Sequence, residues 1–136
     1  MLGYDGAVMV NLCAVATPSV LELNGQGREG WDVARGELEA ALVRADCLLA
    51  GWGVTRLTGE AGLWMRGQVE WLFERAVECG LSRLWMVGGE PRHPSRWHQY
   101  VSDKHGRTAG GTFEERIAQV LVGVPLASVT DNGELW

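Results

Sequence analysis

Short apolar runs alternate with segments of helical periodicity along this chain, and that alternation restricts the folds available to it. Four runs have the length of buried strands: Ala7–Ala14, Cys47–Ala50, Arg83–Gly88 and the shorter Leu126–Thr130. Trp31–Ala45 and Leu63–Cys79, which lie between them, carry apolar residues at helical spacing. Strands separated by helical crossovers indicate a parallel sheet that is covered by helices. The sequence therefore predicts an α/β fold, a three-layer sandwich with a short parallel sheet.

A further helix is predicted after the third strand. Thr112 and Glu115 precede and enter an apolar stripe that runs from Phe113 to Leu121. In a capping box, the threonine hydroxyl accepts from the N–H of the third helical residue, and the glutamate accepts from the N–H of the threonine. The pattern predicts that a helix begins directly after Thr112.

Length and composition favour one domain, residues 1–136, without a cofactor. A chain of 136 residues can bury roughly two-thirds of its unfolded surface, which suffices for one core. The three cysteines, Cys13, Cys47 and Cys79, lack the paired spacing of zinc sites and are interpreted as small buried side chains in a reducing compartment. No GxGxxG, Walker or GxSxG motif is present, so dinucleotide, nucleoside-triphosphate and hydrolase sites lose their usual support.

The N-terminal residues and the charge balance bear on location and partners. MLGYDGAVMVNLCAVAT has no basic leader, and its apolar run is too short to cross a bilayer. We therefore expect a cytoplasmic protein with no membrane partner. The net charge of -5 argues against a broad basic face of the kind that holds duplex DNA, but it permits a local contact.

The turn Gly89–Trp97 has the composition of a site, because it gathers a histidine, two arginines, a hydroxyl and an indole directly after a predicted strand. All three histidines lie between Arg92 and Arg107, and we call residues 92–107 the basic segment. Its four basic residues and one acid leave an excess of about +3, which would attract a phosphate or another anion. His93 and His98 have no carboxylate or thiolate partner, so no metal site is expected.

The predicted topology places three turns at one edge of the sheet. In open parallel sheets, ligands bind in the crevice beyond the carboxyl ends of the strands. The turns Ala14–Thr17, Trp52–Thr55 and Gly89–Trp97 each follow a predicted strand. We therefore expect the site at this edge, with Trp52 beside the residues of the Gly89–Trp97 turn.

Three sequence runs carry a resemblance to known families. LGYDGAVMVNLCA, LLAGWG and GGEPRHP resemble, in order and spacing, the C-terminal two-thirds of the bacterial and phage domain-of-unknown-function family 1643, where WGYxGxxVVNLFA, AAWG and GQPRHP occur. The resemblance covers residues 1–97 and leaves residues 98–136 unmatched. More distantly, the runs are similar to the uracil-DNA glycosylase superfamily, in which a strand ending LLLN, a strand ending LWG and an HPSP turn surround the base pocket. This similarity implies a shortened uracil-DNA glycosylase-like fold.

The chain departs from both families before its first predicted strand. The domain family has an NPST-type motif on an earlier strand, and the glycosylases have there the motif whose acid positions the attacking water. Met1 stands immediately before the LLLN-like run, and Asp5 is the first acid. The departure leaves three expectations open: an incomplete pocket with weak or no N-glycosidase activity, a pocket that a second chain completes, or a truncated gene start. For the sheet, we expect a homodimer or partner chain, or else Leu126–Thr130 as a substitute strand.

The resemblance implies catalytic roles for Asn11 and His93. Asn11 would present its amide to the edge of a pyrimidine, where one group offers both a donor and an acceptor. His93 would donate a hydrogen bond to an oxygen on which negative charge develops. Each residue also has a structural interpretation, in which Asn11 satisfies backbone groups at a strand end and His93 braces the turn.

The remaining candidates would bind nucleic acid. Arg92, Ser95 and Arg96 would hold phosphate oxygens, although surface arginines commonly do no more than solvate a loop. Trp97 occupies the place of an apolar wedge in the glycosylases, and it would either stack on a base or pin the loop to the body.

Together these observations predict recognition of a nucleobase or nucleic acid, with single-stranded DNA or a nucleotide as the partner. The pocket would be formed by Asn11, Trp52, His93 and Ser95. The alternative is a non-enzymatic interaction protein of a phage or mobile element that retains a degenerate glycosylase-like scaffold.

Overall fold

The computed structural model describes residues 6–13, 27–53 and 57–132, and within them the chain forms five α-helices and three strands. In chain order these are α1 (Glu29–Arg44), β1 (Leu48–Leu49), α2 (Gly59–Glu78), β2 (Arg83–Val87), α3 (Trp97–Tyr100), α4 (Phe113–Val120), β3 (Leu121–Pro125) and α5 (Leu126–Asn132). Two short 3₁₀ turns, Pro94–Arg96 and Asp103–His105, flank α3. The predicted α/β class is confirmed.

The strands form one mixed sheet in the order β1-β2-β3. β1 runs parallel to β2, with Leu48 opposite Leu84, whereas β3 runs antiparallel to β2, with Leu121 opposite Val87. The prediction of a purely parallel sheet is therefore wrong for β3.

The connection between β2 and β3 explains this reversal. Gly88 donates its N–H to the Val120 carbonyl at 2.8 Å, so the two ends of the connection meet beside the carboxyl end of β2. The chain leaves α4 at Val120 and is already extended at Leu121, so that β3 begins where β2 ends and returns along it. A parallel strand would require the chain to cross to the opposite end of the sheet first.

The helices and the middle strands lie where the periodicity predicts them, with shifted ends. α1 begins at Glu29 rather than Trp31, α2 begins at Gly59 rather than Leu63, and β1 is shorter than the predicted run Cys47–Ala50. The capping box is confirmed, because Thr112 Oγ1 accepts from the N–H of Glu115 at 3.2 Å and the Glu115 carboxylate accepts from the N–H of Thr112 at 3.3 Å. This helix ends one residue earlier than predicted, at Val120.

The predicted first strand, Ala7–Ala14, is not a strand. Residues 7–13 lie outside any helix or strand, with Val8 and Met9 exposed by 80% and 83%, and Ala14 lies outside the described residues. The carbonyl of Leu12 accepts from the side chain of Gln68 in α2 at 2.9 Å, a contact that differs from a strand ladder. An apolar run indicates a strand only where a neighbouring edge pairs with it, and the sequence pattern carries no information about that edge.

The predicted strand Leu126–Thr130 is a helix instead. β3 occupies the preceding five residues and ends at Pro125, and the Leu126 N–H bonds to the Ser82 carbonyl at 2.9 Å. α5 then buries Leu126 and Val129, which are three residues apart and therefore share one helix face. The proposed substitution of a missing strand by this segment is therefore also wrong.

The hydrophobic core lies on both faces of β2. Leu84 and Met86 point into a main core with residues of α1, α2 and α5, while Val87 points to the other face, against Val101 and Ile117. Half-buried aromatic residues of α3 and α4 complete the second cluster. The described helices therefore cover the sheet from two sides.

The three cysteines are free thiols, and all are half-buried, whereas the sequence predicted buried side chains. Cys47 directly precedes β1, which is an edge strand of the sheet within the described residues and is only partly covered. Desolvation, followed by the charge of Asp46, raises the pKa of the Cys47 thiol. A raised pKa favours the unreactive thiol form.

Candidate functional site

Two of the predicted site turns meet in the structure. The loop after β1 and the turn after β2 leave the sheet side by side, and the Gly53 N–H donates to the Pro91 carbonyl at 2.6 Å. Gly51 lies so close to the turn that an added Cβ would approach Pro94 Cδ to 3.3 Å. We call residues 51–53 and 90–97 together the turn site. The third turn, Ala14–Thr17, lies outside the described residues.

His93 stabilises the turn through one ring nitrogen, and its other ring nitrogen takes no part in the turn. Its Nδ1 accepts from the Ser95 N–H at 3.2 Å and lies 2.9 Å from Ser95 Oγ. Because a backbone N–H can only donate, Nδ1 is an acceptor, and the neutral ring carries its proton on Nε2. His93 and Ser95 are both exposed, so Nε2–H forms a donor at the surface of the turn site.

Trp97 fastens the turn to the body of the protein. Its Nε1–H donates to the Arg92 carbonyl at 3.0 Å, and its half-buried ring packs against the second core cluster. Of the two roles that the sequence allowed for Trp97, it therefore has the one that pins the loop to the body. Base stacking by the exposed part of its ring remains a prediction.

Arg92 is held by a carboxylate and an aromatic ring. Its guanidinium bonds to Glu90 at 3.0 Å and lies 4.2 Å above the ring of Tyr100. Arg107 lies 4.3 Å from the same ring centroid and donates to the Tyr100 carbonyl at 3.1 Å. Cation–π contacts of this kind stabilise each guanidinium by about 0.5–1 kcal/mol at partly exposed positions. Tyr100 therefore gathers two cations of the basic segment at one place.

Asp103, the acid of the basic segment, forms an ion pair with a cation from outside that segment. Arg116 in α4 donates to the Asp103 carboxylate at 2.7 Å, and this hydrogen bond lowers the pKa of Asp103. His98 stacks on Phe113 with ring centroids 3.9 Å apart. Arg96 and Lys104 are exposed, and no hydrogen bond or ion pair within the described residues uses their side chains. Within the basic segment, these two cations are the ones that no described side chain engages.

Trp52 lies inside the turn site, and Asn11 does not. The ring of Trp52 packs against Phe73 at a centroid distance of 6.0 Å, and its buried Nε1 has no hydrogen-bond partner in the described part of the chain. Asn11 is exposed, and no hydrogen bond or ion pair within the described residues joins it to the turn site. The described contacts thus join the backbone on either side of Trp52 to the turn that carries Arg92, His93, Ser95, Arg96 and Trp97, while the ring of Trp52 packs against the main core.

Tyr100 and Gly88 belong to this region but were not predicted as site residues from the sequence, whereas Arg107 was predicted only as the end of the basic segment. Tyr100 lies against Gly88, where an added Cβ would come within 2.3 Å of the tyrosine hydroxyl, and Gly88 has a positive φ of 69°. The Gly88-Gly89 pair at the end of β2 was the available signal, because paired glycines mark positions of close approach or left-handed backbone.

Comparison with known proteins gives no match to a family model, to a curated protein or to a solved structure. Within the residues that the structure describes, no cluster of three or more histidine, cysteine, aspartate or glutamate side chains is arranged to hold a metal ion. None of the described helices is both long enough and apolar enough to cross a membrane.

Proposed function

We propose that the turn site binds single-stranded nucleic acid. The observation that carries this proposal is the hydrogen bond from Gly53 to Pro91, because it seats the tryptophan-bearing loop against the turn that begins the basic segment. Single-strand binding surfaces combine aromatic rings, on which bases stack, with cations that follow the phosphates. Trp52 and Trp97 would offer the rings, and Arg96 and Lys104 would offer the open cations.

Electrostatics support a local contact. The basic segment carries an excess of about +3 in a chain of net charge -5, so an anionic ligand would be directed to this surface rather than spread over the molecule. The Tyr100 cluster would hold Arg92 and Arg107 in place before the ligand arrives, which lowers the entropic cost of binding.

The donors of the turn suit a base edge or a phosphate. His93 Nε2–H is exposed and would donate to an oxygen acceptor, while the Ser95 hydroxyl donates its proton to His93 Nδ1 and would offer a ligand its oxygen as an acceptor. LLAGWG contains β1, GGEPRHP follows the adjacent parallel strand β2, and the two runs touch at Gly53 and Pro91. This arrangement supports the proposed uracil-DNA glycosylase-like scaffold and the kinship with domain family 1643 for two of the three runs, since the run before Ala14 is not a strand.

A second candidate is a binding protein without hydrolytic activity, such as an interaction protein of a phage or mobile element. It is favoured by the position of Asn11, which no described contact joins to His93. Enzymatic hydrolysis of an N-glycosidic bond requires the catalytic acid, base and electrophilic groups to converge on the reacting atom. On this interpretation, oligonucleotides that contain uracil, hypoxanthine or thymine bind but release no free base.

A salt-dependent titration tests the proposal. A fluorescent single strand of about 15 nucleotides covers the usual site size, and its anisotropy is followed between about 50 and 200 mM salt. Arg96→Ala should weaken binding roughly threefold to tenfold and reduce the salt slope by about 0.7, the value for one lost phosphate contact on a single strand.

Arg44→Ala is the matched control, since Arg44 is an exposed arginine at the end of α1 and outside the basic segment. It should change neither affinity nor slope. The proposal fails if the wild-type protein shows no salt-dependent binding, or if the two variants weaken binding equally.

A further inference from the structure

Glu90 places a carboxylate of the protein itself on one of the arginines of the turn site. Its Oε2 lies 3.0 Å from Arg92 Nη2, and the Arg92 N–H donates to the Glu90 carbonyl at 2.7 Å, so a tight backbone turn holds the two side chains together. The Glu90 side chain is 55% exposed. An anion from solvent can therefore take the position of this carboxylate on Arg92 when the Glu90 side chain rotates away.

A second guanidinium lies against the same aromatic ring as Arg92. Arg92 is 4.2 Å and Arg107 is 4.3 Å from the ring centroid of Tyr100. Arg107 is exposed, and its Nη1 donates to the Tyr100 carbonyl at 3.1 Å, which fixes its place beside the ring. Both charges lie well within the Debye length of about 8 Å from the ring, so one anion bound there interacts with both.

The carboxylates of this stretch do not balance the two guanidinium groups. Residues 90–107 contain two acids, Glu90 and Asp103. Asp103 accepts from Arg116 of α4 at 2.7 Å, and Glu90 pairs with Arg92. A single carboxylate of this stretch therefore serves the two guanidinium groups on Tyr100.

This imbalance distinguishes between two kinds of phosphate. An internal phosphodiester carries one negative charge, as Glu90 does, so exchanging one for the other adds no charge to the cluster. A terminal phosphate monoester carries about -1.5 to -2 at pH 7 and has three acceptor oxygens, so it can replace Glu90 and still offer charge to Arg107. We infer that Arg92 and Arg107, held on Tyr100, bind the terminal phosphate of a nucleic-acid strand, which displaces Glu90. The inference rests on the proposed function and adds to it a preference for phosphorylated strand ends.

Two DNA strands of one sequence test this preference, one with a 5′-phosphate and one with a 5′-hydroxyl. Both are about 15 nucleotides long and carry the fluorophore at the 3′ end. The wild-type protein should bind the phosphorylated strand roughly 5- to 10-fold more tightly, the effect of about one additional hydrogen bond to a charged group. Arg107→Gln should reduce the preference to about twofold or less. Arg44→Gln, which removes an exposed charge outside the basic segment, should keep it.

A competition separates a strand end from a free nucleotide. Thymidine 5′-monophosphate carries the same monoester but none of the other contacts of a strand, so it should displace the labelled strand only at concentrations about 100-fold above those of unlabelled phosphorylated strand. Displacement at equal concentrations would overturn the assignment to a strand end.

Glu90→Gln tests the exchange itself. Without the carboxylate, Arg92 can take an internal phosphate, so binding of the 5′-hydroxyl strand should tighten roughly threefold to tenfold and its salt slope should steepen by about 0.7. Glu78→Gln is the matched control, because it makes the same change in net charge at an exposed glutamate that pairs with Arg75. It should change neither affinity nor slope.

The outcomes separate this inference from the function on which it rests. Equal, salt-dependent binding of both strands by the wild type, or equal effects of Glu90→Gln and Glu78→Gln, would overturn the inference and leave the turn site as a single-strand binding surface. Absence of salt-dependent binding to either strand would remove the proposed function, and the inference with it.

Discussion

Gly88 is the residue on which the shape of the basic segment depends most directly. It ends β2 with a positive φ of 69°, and the hydroxyl of Tyr100 occupies the space where a side chain would begin. Tyr100 in turn contacts the guanidinium groups of Arg92 and Arg107. Because Gly88 has no side chain, the ring of Tyr100, which contacts both guanidinium groups, can lie against the end of β2.

Gly88→Ala should destabilise the protein by about 2–5 kcal/mol, because it adds left-handed backbone strain to a steric clash with Tyr100. Gly106→Ala is the matched control, since Gly106 also has a positive φ, 61°, but nothing lies within 4 Å of its added Cβ. It should cost only about 1–2 kcal/mol. Urea unfolding compares the variants, and equal costs would contradict the packing of Tyr100 on Gly88.

At the scale of elements, the sequence predicted features that depend on neighbouring residues, but it did not predict which segments pair as strands. The capping box at Thr112 involves residues three apart, so the sequence alone specifies it. Whether Ala7–Ala14 pairs, and whether the chain after Pro125 extends or coils, depends on contacts with distant elements such as Gln68 and Ser82. The same limit applies to the site: the turns were predicted from their composition, but the contact of Gly53 with Pro91 depends on the register of the sheet.

Thr112→Ala should destabilise the protein by about 1 kcal/mol, because the Glu115 N–H loses its acceptor at the start of α4. Thr112→Ser keeps a hydroxyl and should retain most of the stability. The free energy of unfolding in urea measures both. A Thr112→Ala protein as stable as the wild type would show that α4 does not depend on its cap.

An ion pair joins the two long helices. The Arg75 guanidinium donates to the Glu39 carboxylate at 2.7 and 2.9 Å, and this hydrogen bond lowers the pKa of Glu39 below its usual value of 4.5. A carboxyl group with a lowered pKa in the folded state contributes stability above its unfolded pKa, and that contribution is lost as the pH falls through the folded pKa.

The stability difference between the wild type and Glu39→Gln should therefore be full near neutral pH and should shrink as the pH falls below about 4.5. Arg75→Gln should lack the same pH-dependent part of the stability, because it removes the partner of Glu39. Urea midpoints measured over a pH series test this. A difference that stays constant down to the acid limit would mean that the pair does not couple α1 to α2.

At the scale of the whole molecule, the described surface has apolar groups and strand edges without a partner. Val8 and Met9 are largely exposed, and β1 pairs on one side only within the described residues. Open edges and exposed apolar side chains favour association. We expect a concentration-dependent homodimer, which sedimentation velocity at two concentrations would detect, and Val8→Asp should shift it towards the monomer. A wild-type protein that is monomeric at both concentrations would remove this expectation.

The distribution of charge gives the molecule one region that suits nucleic acid. The chain is acidic as a whole, while the basic segment passes through α3 and places two of its cations, Arg92 and Arg107, against the ring of Tyr100. Binding should therefore perturb a continuous surface formed by residues 51–53 and 90–107, even though the 36 residues 54–89 separate the two parts in the chain.

The most direct test maps the backbone amide signals of the ¹⁵N-labelled protein during titration with a single-stranded oligonucleotide of about 15 nucleotides. We predict that the largest shifts fall together at residues 51–53 and 90–107, and that they diminish with added salt. Shifts confined to other surfaces, or no shifts at a concentration of oligonucleotide well above that of the protein, would contradict the assignment of the turn site as a nucleic-acid binding surface.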